Sequence, residues 1–457
     1  MPHRNDTIIA LSTPQGRSAI GVIRLSGSHA LEIARTLLAD AGFAPDANHA
    51  SLRKLLDPDT KEVLDHALIT YFKAPRSFTG EDVIELSCHG SPAILRWVID
   101  IALRLDARLA EPGEFTLRAL ANGRVSLSQA EAVRDLIDAQ TNAAVRQATR
   151  QLGGELSLRL QPFKDKLLEI IVPLESSLEF VEDDLPEVRS RQIISQLSDL
   201  VHDIEKLSAT YRAGHLLREG LKVTLVGRPN VGKSSIFNTL LLNDRAIVAA
   251  TPGTTRDSIS ESINIEGIPV LLTDTAGVRE STDEVESLGV GRTRQAMIDA
   301  DLNVIVLDGS QPCTTKDLDV IKEVVDLPHI IAFNKSDIGS FANNTQVCLC
   351  DKKHDPLVVS AKTGEGFDAL RTALISPFIT GINQDTGLLI TDARHFDLLR
   401  RTQTALSSSI GLLEQRASEE LILVWLYNAL RLLGEITGET TPEDVLTQIF
   451  ATFCIGK

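Results

Sequence analysis

A glycine-rich segment, GRPNVGKS at residues 227–234, has the residue types and spacing of a loop that binds phosphates. Its glycines let the backbone curl so that successive N–H groups point at phosphate oxygens. Lys233 adds a positive charge for the β- and γ-phosphates, and Ser234 offers a hydroxyl to Mg²⁺. The apolar run LKVTLV precedes the loop and SSIFNTLLL follows it, which predicts a strand and then a helix. A glycine-rich turn with a surface lysine is the alternative, and the segments that follow count against it.

Two downstream segments could complete a magnesium site and sense the terminal phosphate. Thr254-Thr255-Arg256 lies in a loop punctuated by glycine and proline, where a threonine hydroxyl could bind Mg²⁺. Asp274-Thr275-Ala276-Gly277 follows another apolar run. Its aspartate suits a contact to the ligands of the metal ion, and the N–H of Gly277 could contact the γ-phosphate.

Two further segments could recognise a guanine base. Asn334-Lys335-Ser336-Asp337 ends an apolar run, and its aspartate could accept two N–H bonds from guanine, a donor pair that adenine lacks. Ser360-Ala361-Lys362 would flank the base from the far side. All five segments follow predicted strands, where open parallel sheets bind ligands, so the sequence predicts a guanine-nucleotide site. The predicted GTP site comprises Asn230, Val231, Gly232, Lys233, Ser234, Ser235, Ala249, Ala250, Thr251, Pro252, Gly253, Thr254, Thr255, Asp274, Thr275, Ala276, Gly277, Asn334, Lys335, Asp337, Ser360, Ala361 and Lys362.

The group that orients the attacking water is open at this point. Many GTPases place a glutamine directly after the Asp-x-x-Gly turn, but residue 278 here is Val. The acidic residues of the following segment are candidates: Glu280, Asp283, Glu284 and Glu286. Charge in the transition state could be neutralised by Arg256, by Arg279 or by a monovalent cation. Asn230, inside the phosphate loop, could offer an oxygen to such a cation.

The bulk composition is that of an ordinary soluble globular protein with more than one domain. The chain has 457 residues, of which 43% are hydrophobic and 24% charged. Its net charge of −16 argues against a broadly basic, sequence-blind nucleic-acid binder, although local basic patches remain compatible with it. We find neither the apolar core of a signal peptide nor a membrane-spanning run, and five scattered cysteines do not suggest a disulfide framework. We therefore expect a cytoplasmic protein without a membrane anchor; Cys348 and Cys350 are expected to be strand residues rather than metal ligands.

Four segments with different textures follow one another along the chain. Residues 1–120 mix β-like runs, such as 18–27 and 66–72, with helical stretches such as 94–105. Residues 121–218 and 377–457 are helical, whereas strands and helices alternate in 219–376. The simplest layout is an α/β domain inserted into a helical domain, the two helical parts packing together.

Local patterns within the helical parts give more detailed expectations. Ser128 followed by Glu131 fits a capping box. The acidic run 181–187 is expected to break the helices, and residues 421–436, apolar almost all round, predict a buried helix. Thr441-Pro442-Glu443-Asp444 predicts a helix start. Two helix faces are predicted to be apolar: Leu127, Ala130, Val133, Leu136 and Ile137, and later Leu398, Leu399, Thr402, Leu406, Ile410 and Leu413.

The whole chain resembles the MnmE (TrmE) family of tRNA modification GTPases. The N-terminal part carries the resemblance in NDTIIAL, GVIRLSG, SFTGEDVIELSCHG and EPGEFTLRA. The later part carries it in AEAVRDLIDA, GRPNVGKSS, GTTRD, DTAGVRE, NKSD and, most specifically, the terminal FCIGK. The resemblance implies an α+β folate-binding and dimerisation domain over 1–120, a helical domain over 121–218 and 377–457, and an inserted Ras-like G domain with a parallel or mixed sheet over 219–376.

The resemblance also implies an activity, partners and cofactors. Members of this family are homodimers that hydrolyse GTP with Mg²⁺, and K⁺ stimulates the dimerisation of their G domains. They form a heterotetramer with the flavoprotein MnmG, which uses FAD and NADH. Together the two proteins add an aminomethyl or carboxymethylaminomethyl group to C5 of the wobble uridine of certain tRNAs. The one-carbon unit comes from 5-formyl- or 5,10-methylene-tetrahydrofolate.

Carried over residue by residue, the resemblance assigns roles to particular positions. Glu286 would orient the water and Lys233 would bind the phosphates. Mg²⁺ would be held by Ser234 and Thr255. The folate site would comprise Arg24, Glu85, Arg124 and Lys457, since a cation suits the carboxylates of folate and a carboxylate suits the N–H edge of the pterin. The K⁺ ligands would be Asn230 and Thr254 with the carbonyls of Ala249 and Thr251.

Cys454 and two departures from the family pattern stay open. Cys454 is either a core cysteine beside Phe450 and Phe453 or a catalytic thiol, the role that the resemblance favours; C-I-G-K is a poor prenylation signal. Pro252 stands where small residues are usual in the family. Its fixed φ could stiffen the segment 249–254, which carries three of the expected K⁺ ligands. Arg124 stands where a lysine also occurs, which keeps the charge but changes the geometry.

A second function class also remains at this stage. A G domain also occurs in proteins that act as translational or ribosome-assembly switches, because a fold does not determine a function. Such proteins usually carry a basic RNA-binding module, and none is visible in the sequence. The N-terminal motifs and the terminal FCIGK favour the tRNA-modification enzyme.

Overall fold

A computed structural model describes residues 6–179, 187–244, 259–274, 294–338, 356–379, 387–439, 446, 449–450 and 452–456. Contacts divide the chain into two compact units. The first comprises residues 1–134, 151–165 and 430–457, and the second comprises 135–150 and 166–429. The acidic run 181–186, the Thr441–Asp444 helix start, and Cys348 with Cys350 lie outside the described residues.

The first unit is built on a six-stranded sheet. Its strands, in the spatial order β3-β4-β5-β2-β1-β6, are antiparallel except for the parallel pair β1–β6. The predicted strands at 18–27 and 66–72 and the helix at 94–105 are confirmed, with small shifts of their ends. The elements are β1 (Thr7–Leu11), β2 (Ile20–Ser26), α1 (Ala30–Leu38), β3 (Ala50–Leu56), β4 (Val63–Phe72), β5 (Val83–His89), α2 (Pro92–Arg104), β6 (Ala107–Leu109) and α3 (Glu114–Ala121).

Alternation along the strands puts apolar side chains on one face of this sheet, as the pleat requires. Ile23, Ile69 and Leu86 are fully buried in one cluster with residues of α1 and α2. The side chains at alternate positions, among them Arg24 and Glu85, lie on the opposite face. This sheet therefore positions Arg24 and Glu85, two of the predicted folate residues, side by side on the face opposite α1 and α2.

The helix that follows α3 begins differently from the prediction. The Ser128–Glu131 capping box is wrong, because Ser128 lies buried inside α4 (Leu127–Asp138). The reciprocal cap is Ser126 with Gln129: the Gln129 N–H donates to Ser126 Oγ at 3.3 Å, and Gln129 Oε1 accepts from the Ser126 N–H at 2.9 Å. Glutamine serves at N3 as glutamate does. Of the predicted face, Leu127 and Ala130 are buried, but Ile137 is 43% exposed.

Long helices make up the rest of the helical segments. They are α5 (Asn142–Leu152), α6 (Glu155–Glu179), α7 (Glu187–Ala209), α8 (Tyr211–Glu219), and, beyond the second sheet, α12 (Ala393–Glu414) and α13 (Glu419–Thr437). The predicted apolar face of α12 is confirmed, with Leu398, Leu399, Thr402, Leu406 and Leu413 buried and Ile410 partly buried. The expectation that 421–436 is buried all round is wrong: Leu421, Val424 and Trp425 are 54%, 63% and 38% exposed. Only the opposite face of α13, with Ile422, Leu426 and Leu433, is in a core.

The second unit contains a six-stranded sheet with the order β12-β11-β10-β7-β9-β8. Every neighbouring pair is parallel except β8–β9, which is antiparallel, so the expected parallel or mixed sheet is confirmed. Edge strand β8 carries polar residues at alternate positions and was not predicted. The elements are β7 (Leu221–Val226), α9 (Lys233–Asp244), β8 (Ile259–Ile265), β9 (Ile268–Asp274), β10 (Leu302–Asp308), α10 (Thr315–Val324), β11 (His329–Asn334), β12 (Leu357–Val358) and α11 (Phe367–Ile379).

A buried arginine joins the segments that flank this sheet. Arg218, at the end of α8, lies 3.0 Å from Asp135 of α4 and 2.5 Å from Asp392, the N-cap of α12. All three side chains are 14% exposed or less. Burial alone would raise the pKa of Asp392, but the charges of His395 and Arg218 outweigh burial and hold this pKa well below its usual range.

We expect Asp392→Asn to destabilise the second unit by about 2 kcal/mol at neutral pH, because it removes one of the carboxylates that compensate the buried charge of Arg218, while Asp135 remains. A depressed carboxyl pKa contributes stability that is complete above the unfolded-state value and is lost as pH falls through the folded-state value. The difference in free energy of unfolding between wild type and variant should therefore become smaller from pH 7 to pH 3. Urea unfolding across that range measures it. Asp397→Asn, an exposed carboxylate paired with Arg401 on the same helix, is the control; equal loss in both would refute the buried pair.

In the part of the chain that the structure describes, no helix has both the length and the apolar character needed to cross a bilayer.

Candidate nucleotide site

The phosphate loop leaves β7 after Val226 and joins α9 at Lys233. Gly227 and Gly232 have φ angles of 155° and 99°, and a Cβ on either would overlap a neighbour: Val306 O for Gly227 and the Asn334 amide for Gly232. Asn230 also has a positive φ, 66°. The loop therefore adopts a conformation open mainly to glycine, directly before a helix N-terminus that favours anions.

Lys233 lies over this loop. Its Nζ donates to the carbonyl oxygens of Gly227 at 2.8 Å and of Arg228 at 3.0 Å. The side chain is almost completely buried, with 6% of the residue exposed. A buried ammonium group at a helix N-terminus is a strong binding determinant for phosphate oxygens.

Ser234 and Asp274 come together at the start of α9. The Ser234 hydroxyl donates to Asp274 Oδ2 at 2.7 Å. Asp274 is the last residue of β9 and pairs in register with Leu225 of β7, which brings it beside the phosphate loop. A hydroxyl and a buried carboxylate supply the hard oxygen donors that Mg²⁺ prefers, so these two residues fit a magnesium site.

The predicted base-recognition residues also meet at the carboxyl edge of the sheet. Asn334 Nδ2 donates to the Val231 carbonyl at 3.1 Å, and Asn334 Oδ1 accepts from the Ala361 N–H at 3.0 Å. Ser360 Oγ donates to Asp337 Oδ1 at 2.8 Å. The Asp337 side chain remains 14% exposed, with Lys362 Nζ 3.9 Å from Oδ2. One carboxylate oxygen is thereby oriented, and the carboxylate can still meet a ligand.

Asp308 is a site residue that the sequence interpretation missed. Lys335 Nζ bridges Asp308 Oδ2 at 2.7 Å and the Asn230 carbonyl at 2.9 Å, so it ties the phosphate loop to β10. Burial would raise the pKa of Asp308, but the Lys335 ammonium and hydrogen bonds from Ser310 lower it overall. The available signal was its position: a carboxylate at the carboxyl end of a parallel strand.

Of the remaining predicted nucleotide residues, Ser235 lies in the first turn of α9 and is exposed. The others lie outside the described residues: Ala249, Ala250, Thr251, Pro252, Gly253, Thr254, Thr255, Thr275, Ala276, Gly277 and the candidate water-orienting acids Glu280, Asp283, Glu284 and Glu286. Val278, Arg256, Arg279 and the terminal Lys457 do so as well.

A second group of residues gathers on the first unit around Arg24. Its guanidinium contacts Glu85 twice, from Nε at 2.9 Å and from Nη2 at 2.7 Å, and lies 5.7 Å from the Phe115 ring centroid. Arg24 and Glu85 are directly opposite each other on β2 and β5. Arg124 instead donates from Nε to the Ser77 carbonyl at 3.2 Å. The structure thus brings Arg24 and Glu85 together, whereas Arg124, the third folate candidate among the described residues, contacts neither of them in these hydrogen bonds.

The C-terminal segment lies against this group. Gly456 O accepts from Arg24 Nη1 at 3.3 Å and from Ser12 Oγ at 3.1 Å, and Cys454 O accepts from the Gly113 N–H at 3.4 Å. Phe450 and Phe453 are buried against Leu127 and Ala130 of α4, whereas Cys454 is exposed. The alternative of a core cysteine is therefore wrong, because the neighbouring rings fill the core and leave the thiol outside it.

We expect Gly113→Ala to loosen this C-terminal segment. Gly113 has a φ of 68°, and a Cβ there would approach Phe450 O and Phe453 Cβ to 2.9 Å. Amide hydrogen exchange of residues 449–456 should accelerate about tenfold, equivalent to roughly 1–2 kcal/mol of local stability. Gly123→Ala is a matched control, since Gly123 has nearly the same φ, 65°, and no heavy atom within 4 Å of the added Cβ. Equal acceleration in both variants would assign the effect to backbone strain alone.

Comparisons with known proteins agree with these motifs. Residues 127–454 match the family model described as MnmE helical domain, and residues 7–124 match that of the GTP-binding protein TrmE N-terminus. The tRNA modification GTPase MnmE of Koribacter versatilis is 43% identical over 99% of both chains. The Aquifex aeolicus protein of the same name is 42% identical over 99% of this chain and all of its own.

Among solved structures, Era from Aquifex aeolicus bound to GDP and aluminium fluoride is 23% identical, with a TM-score of 0.30 over 40% of this chain and 66% of its own. That likeness is too low to add to the assignment, which rests on the full-length sequence relatives. The motifs, the two family matches and identity above 40% from end to end agree, and the chain belongs to the MnmE family.

Proposed function

We propose that this protein hydrolyses GTP and that hydrolysis serves the modification of the wobble uridine of tRNA. The Asp337 carboxylate, oriented by Ser360 at the sheet edge that also presents Lys233, is the observation that supports GTP as the nucleotide. Two relatives named tRNA modification GTPase MnmE match the chain from end to end. Their name supports GTP hydrolysis and tRNA modification, and the wobble uridine rests on the resemblance to the family.

Phosphate binding follows from the loop and the lysine. The N–H groups at the start of α9 face the β- and γ-phosphates, and the Lys233 ammonium exchanges the carbonyls of Gly227 and Arg228 for phosphate oxygens. Ser234 and Thr255 would hold Mg²⁺, which would neutralise phosphate charge when bound. The Asp274 carboxylate accepts a hydrogen bond from the Ser234 hydroxyl and so orients it. The protein's part in catalysis is thus positioning and electrostatic stabilisation.

Water orientation and potassium binding rest on the resemblance. Glu286 would take the role of the missing glutamine, and K⁺ would be held by Asn230, Thr254 and the carbonyls of Ala249 and Thr251. Asn230 is the described member of this set. It is exposed at the tip of the phosphate loop with a φ of 66°, and its amide oxygen suits an alkali cation.

We expect GTP hydrolysis to be at least about tenfold faster in K⁺ than in Na⁺, because a cation of the right size replaces an arginine finger in neutralising the transition state. Glu286→Ala should lower kcat about a hundredfold and leave GTP affinity unchanged. Phosphate release at saturating GTP measures both effects, and Glu280→Ala is the control for charge alone. Equal rates in the two salts would remove K⁺ from the mechanism.

The N-terminal sheet supports a homodimer. Leu52 of β3 and Leu68 of β4 face each other in register and are 64% and 46% exposed. On β2, which β5 separates from β4, Ile20 is 60% exposed. An apolar patch of this kind on a sheet face suits a second copy of the chain. Sedimentation of Leu68→Lys against wild type tests it; an unchanged dimer would place the interface elsewhere.

Arg24 and Glu85 support a tetrahydrofolate site on the same sheet, the cation for the glutamate carboxylates and the carboxylate for the pterin N–H edge. The one-carbon donor is 5-formyl- or 5,10-methylene-tetrahydrofolate, and the flavoprotein MnmG supplies the redox chemistry with FAD and NADH. Calorimetry with 5-formyl-tetrahydrofolate should show binding by wild type and its loss in Glu85→Gln. Binding that survives this change would exclude the Arg24–Glu85 pair as the folate site.

The experiment that tests the function is mass spectrometry of tRNA nucleosides. Cells lacking the protein should lose C5-aminomethyl-type wobble uridines, and wild-type protein should restore them. Complementation with Cys454→Ser then asks whether the exposed thiol takes part in the chemistry. Unchanged nucleosides in the deletion strain would favour the assembly-switch alternative.

A further inference from the structure

The phosphate loop has a third anchor besides Lys335 and Asn334. Arg228, the second residue of the loop, places its Nε 2.9 Å from Asp317 Oδ1, an ion pair whose N–H is not aligned for a hydrogen bond. Asp317 belongs to α10 and is only 3% exposed, and the Arg228 side chain is 23% exposed. The pair therefore links the loop to a helix on which the sequence placed no site residue.

The Asp317 carboxylate is oriented by its own helix. Its Oδ2 accepts from the N–H and the hydroxyl of Thr314, at 2.9 Å and 2.6 Å, in the capping box that starts α10. Oδ1 is left to face Arg228. A buried carboxylate held this firmly is a fixed negative charge, and the loss of its cation would leave it uncompensated.

The anchor acts on the part of the loop that the other two do not reach. Lys335 holds the Asn230 carbonyl and Asn334 holds the Val231 carbonyl, and these two residues lie at the middle of the 227–234 loop. Arg228 lies at the start of the loop, and its own carbonyl accepts from Lys233 Nζ. Pro229 follows with a fixed φ, so the position of Arg228 is transmitted to the next peptide.

We propose that Arg228 and Asp317 form a positioning pair that fixes the start of the phosphate loop, residues 227–229, in its nucleotide-binding conformation. This rests on the proposed binding of GTP. Asp317 holds the guanidinium toward α10, so Arg228 acts through the loop rather than as a phosphate ligand. The pair holds the backbone N–H groups of the loop in the arrangement that binds phosphates. Without it, part of the binding free energy is lost to ordering the loop around the phosphates.

The test is a double-mutant cycle on nucleotide affinity. Arg228→Ala, Asp317→Ala and the double variant are titrated with N-methylanthraniloyl-GDP in the presence of Mg²⁺. Each single change should weaken binding about tenfold and the double change no further, within the range of coupling measured between paired residues. The KM for GTP should rise while kcat at saturation changes less, and Arg228→Lys should recover part of the affinity. Thermal unfolding of every variant identifies any that fail to fold.

The outcomes separate the alternatives. If Arg228 were a phosphate ligand, Arg228→Ala would weaken binding but Asp317→Ala would not. If Asp317 only caps α10, its loss would lower the melting temperature without changing affinity; either result overturns the pair. Asp319→Ala is the matched control, since Asp319 pairs with Lys322 on the exposed side of the same helix. Wild type that binds no guanine nucleotide would refute the proposed function itself, whereas normal binding by both single variants would refute only the pair.

Discussion

Replacing Lys233 by alanine is expected to abolish measurable GTP hydrolysis and to weaken GTP binding at least about a hundredfold, the loss typical of a charged donor in a water-excluded site. The ammonium is almost completely buried and contacts the carbonyls of Gly227 and Arg228. Alanine removes the charge that the β- and γ-phosphates require, and it leaves the two carbonyls facing them.

Titration with fluorescent GDP and GTP, followed by phosphate release at saturating GTP, measures both parts of this prediction. Lys222→Ala is the matched control, because Lys222 lies on β7 just before the loop and its side chain is exposed. It should bind and hydrolyse GTP as wild type does. A Lys233→Ala protein that still turned over GTP near the wild-type rate would show that the loop does not bind the substrate phosphates.

The second large effect is expected at the base. Asp337→Asn should weaken GTP binding by a hundredfold or more and strengthen binding of xanthosine triphosphate, since a site built around one hydrogen-bond pattern rejects its absence. A carboxylate accepts from two N–H donors of guanine, whereas an amide presents one acceptor and one donor. Xanthine carries a carbonyl where guanine carries its amino group, so the amide donor finds an acceptor there.

Ser360 makes this substitution a clean one. Its hydroxyl donates to Asp337 Oδ1, and the carbonyl oxygen of asparagine can accept the same bond, so the side chain should keep its orientation. Competition between the two nucleotides on one protein sample gives the exchange of specificity directly. If the variant kept full preference for GTP, Asp337 would not recognise the base, and another group, such as one in the segment 359–362 after β12, would have to do so.

Much of the second unit was predictable because its pattern is local. Compact apolar runs gave β7, β9, β10 and β11, and glycines at Gly227 and Gly232 marked a backbone that side chains would obstruct. Edge strand β8 was not predicted because Glu261 interrupts the alternation of apolar and polar residues that would otherwise indicate a half-exposed strand. Asp308 escaped for a different reason: a single carboxylate carries no pattern.

The two wrong predictions in the helical segments, the helix cap at Ser128 and the fully buried helix at 421–436, have one cause: tertiary packing decided both. Ser126 and Ser128 both precede acceptable N3 partners, and only the packing of Ser128 inside the core decides that Ser126 is the cap. Helix α13 is apolar on both faces, so periodicity could not tell which face the protein covers. Val424 and Trp425 are exposed because, in the part of the chain that the structure describes, no other segment packs on their side of α13, and the sequence of α13 alone does not show this.

The sequence by itself determined the order and type of most elements, the strand ends that carry chemistry and the family, because these depend on neighbouring residues and on spacing along the chain. Only the tertiary structure decided which charges meet. Arg24 with Glu85, Arg218 with Asp392, and Arg228 with Asp317 are pairs between residues far apart in the chain. A charged side chain that is buried needs an opposite charge beside it, because burial removes its contact with water. Which charged side chains become buried together depends on how distant segments pack, and no local pattern in the sequence encodes that.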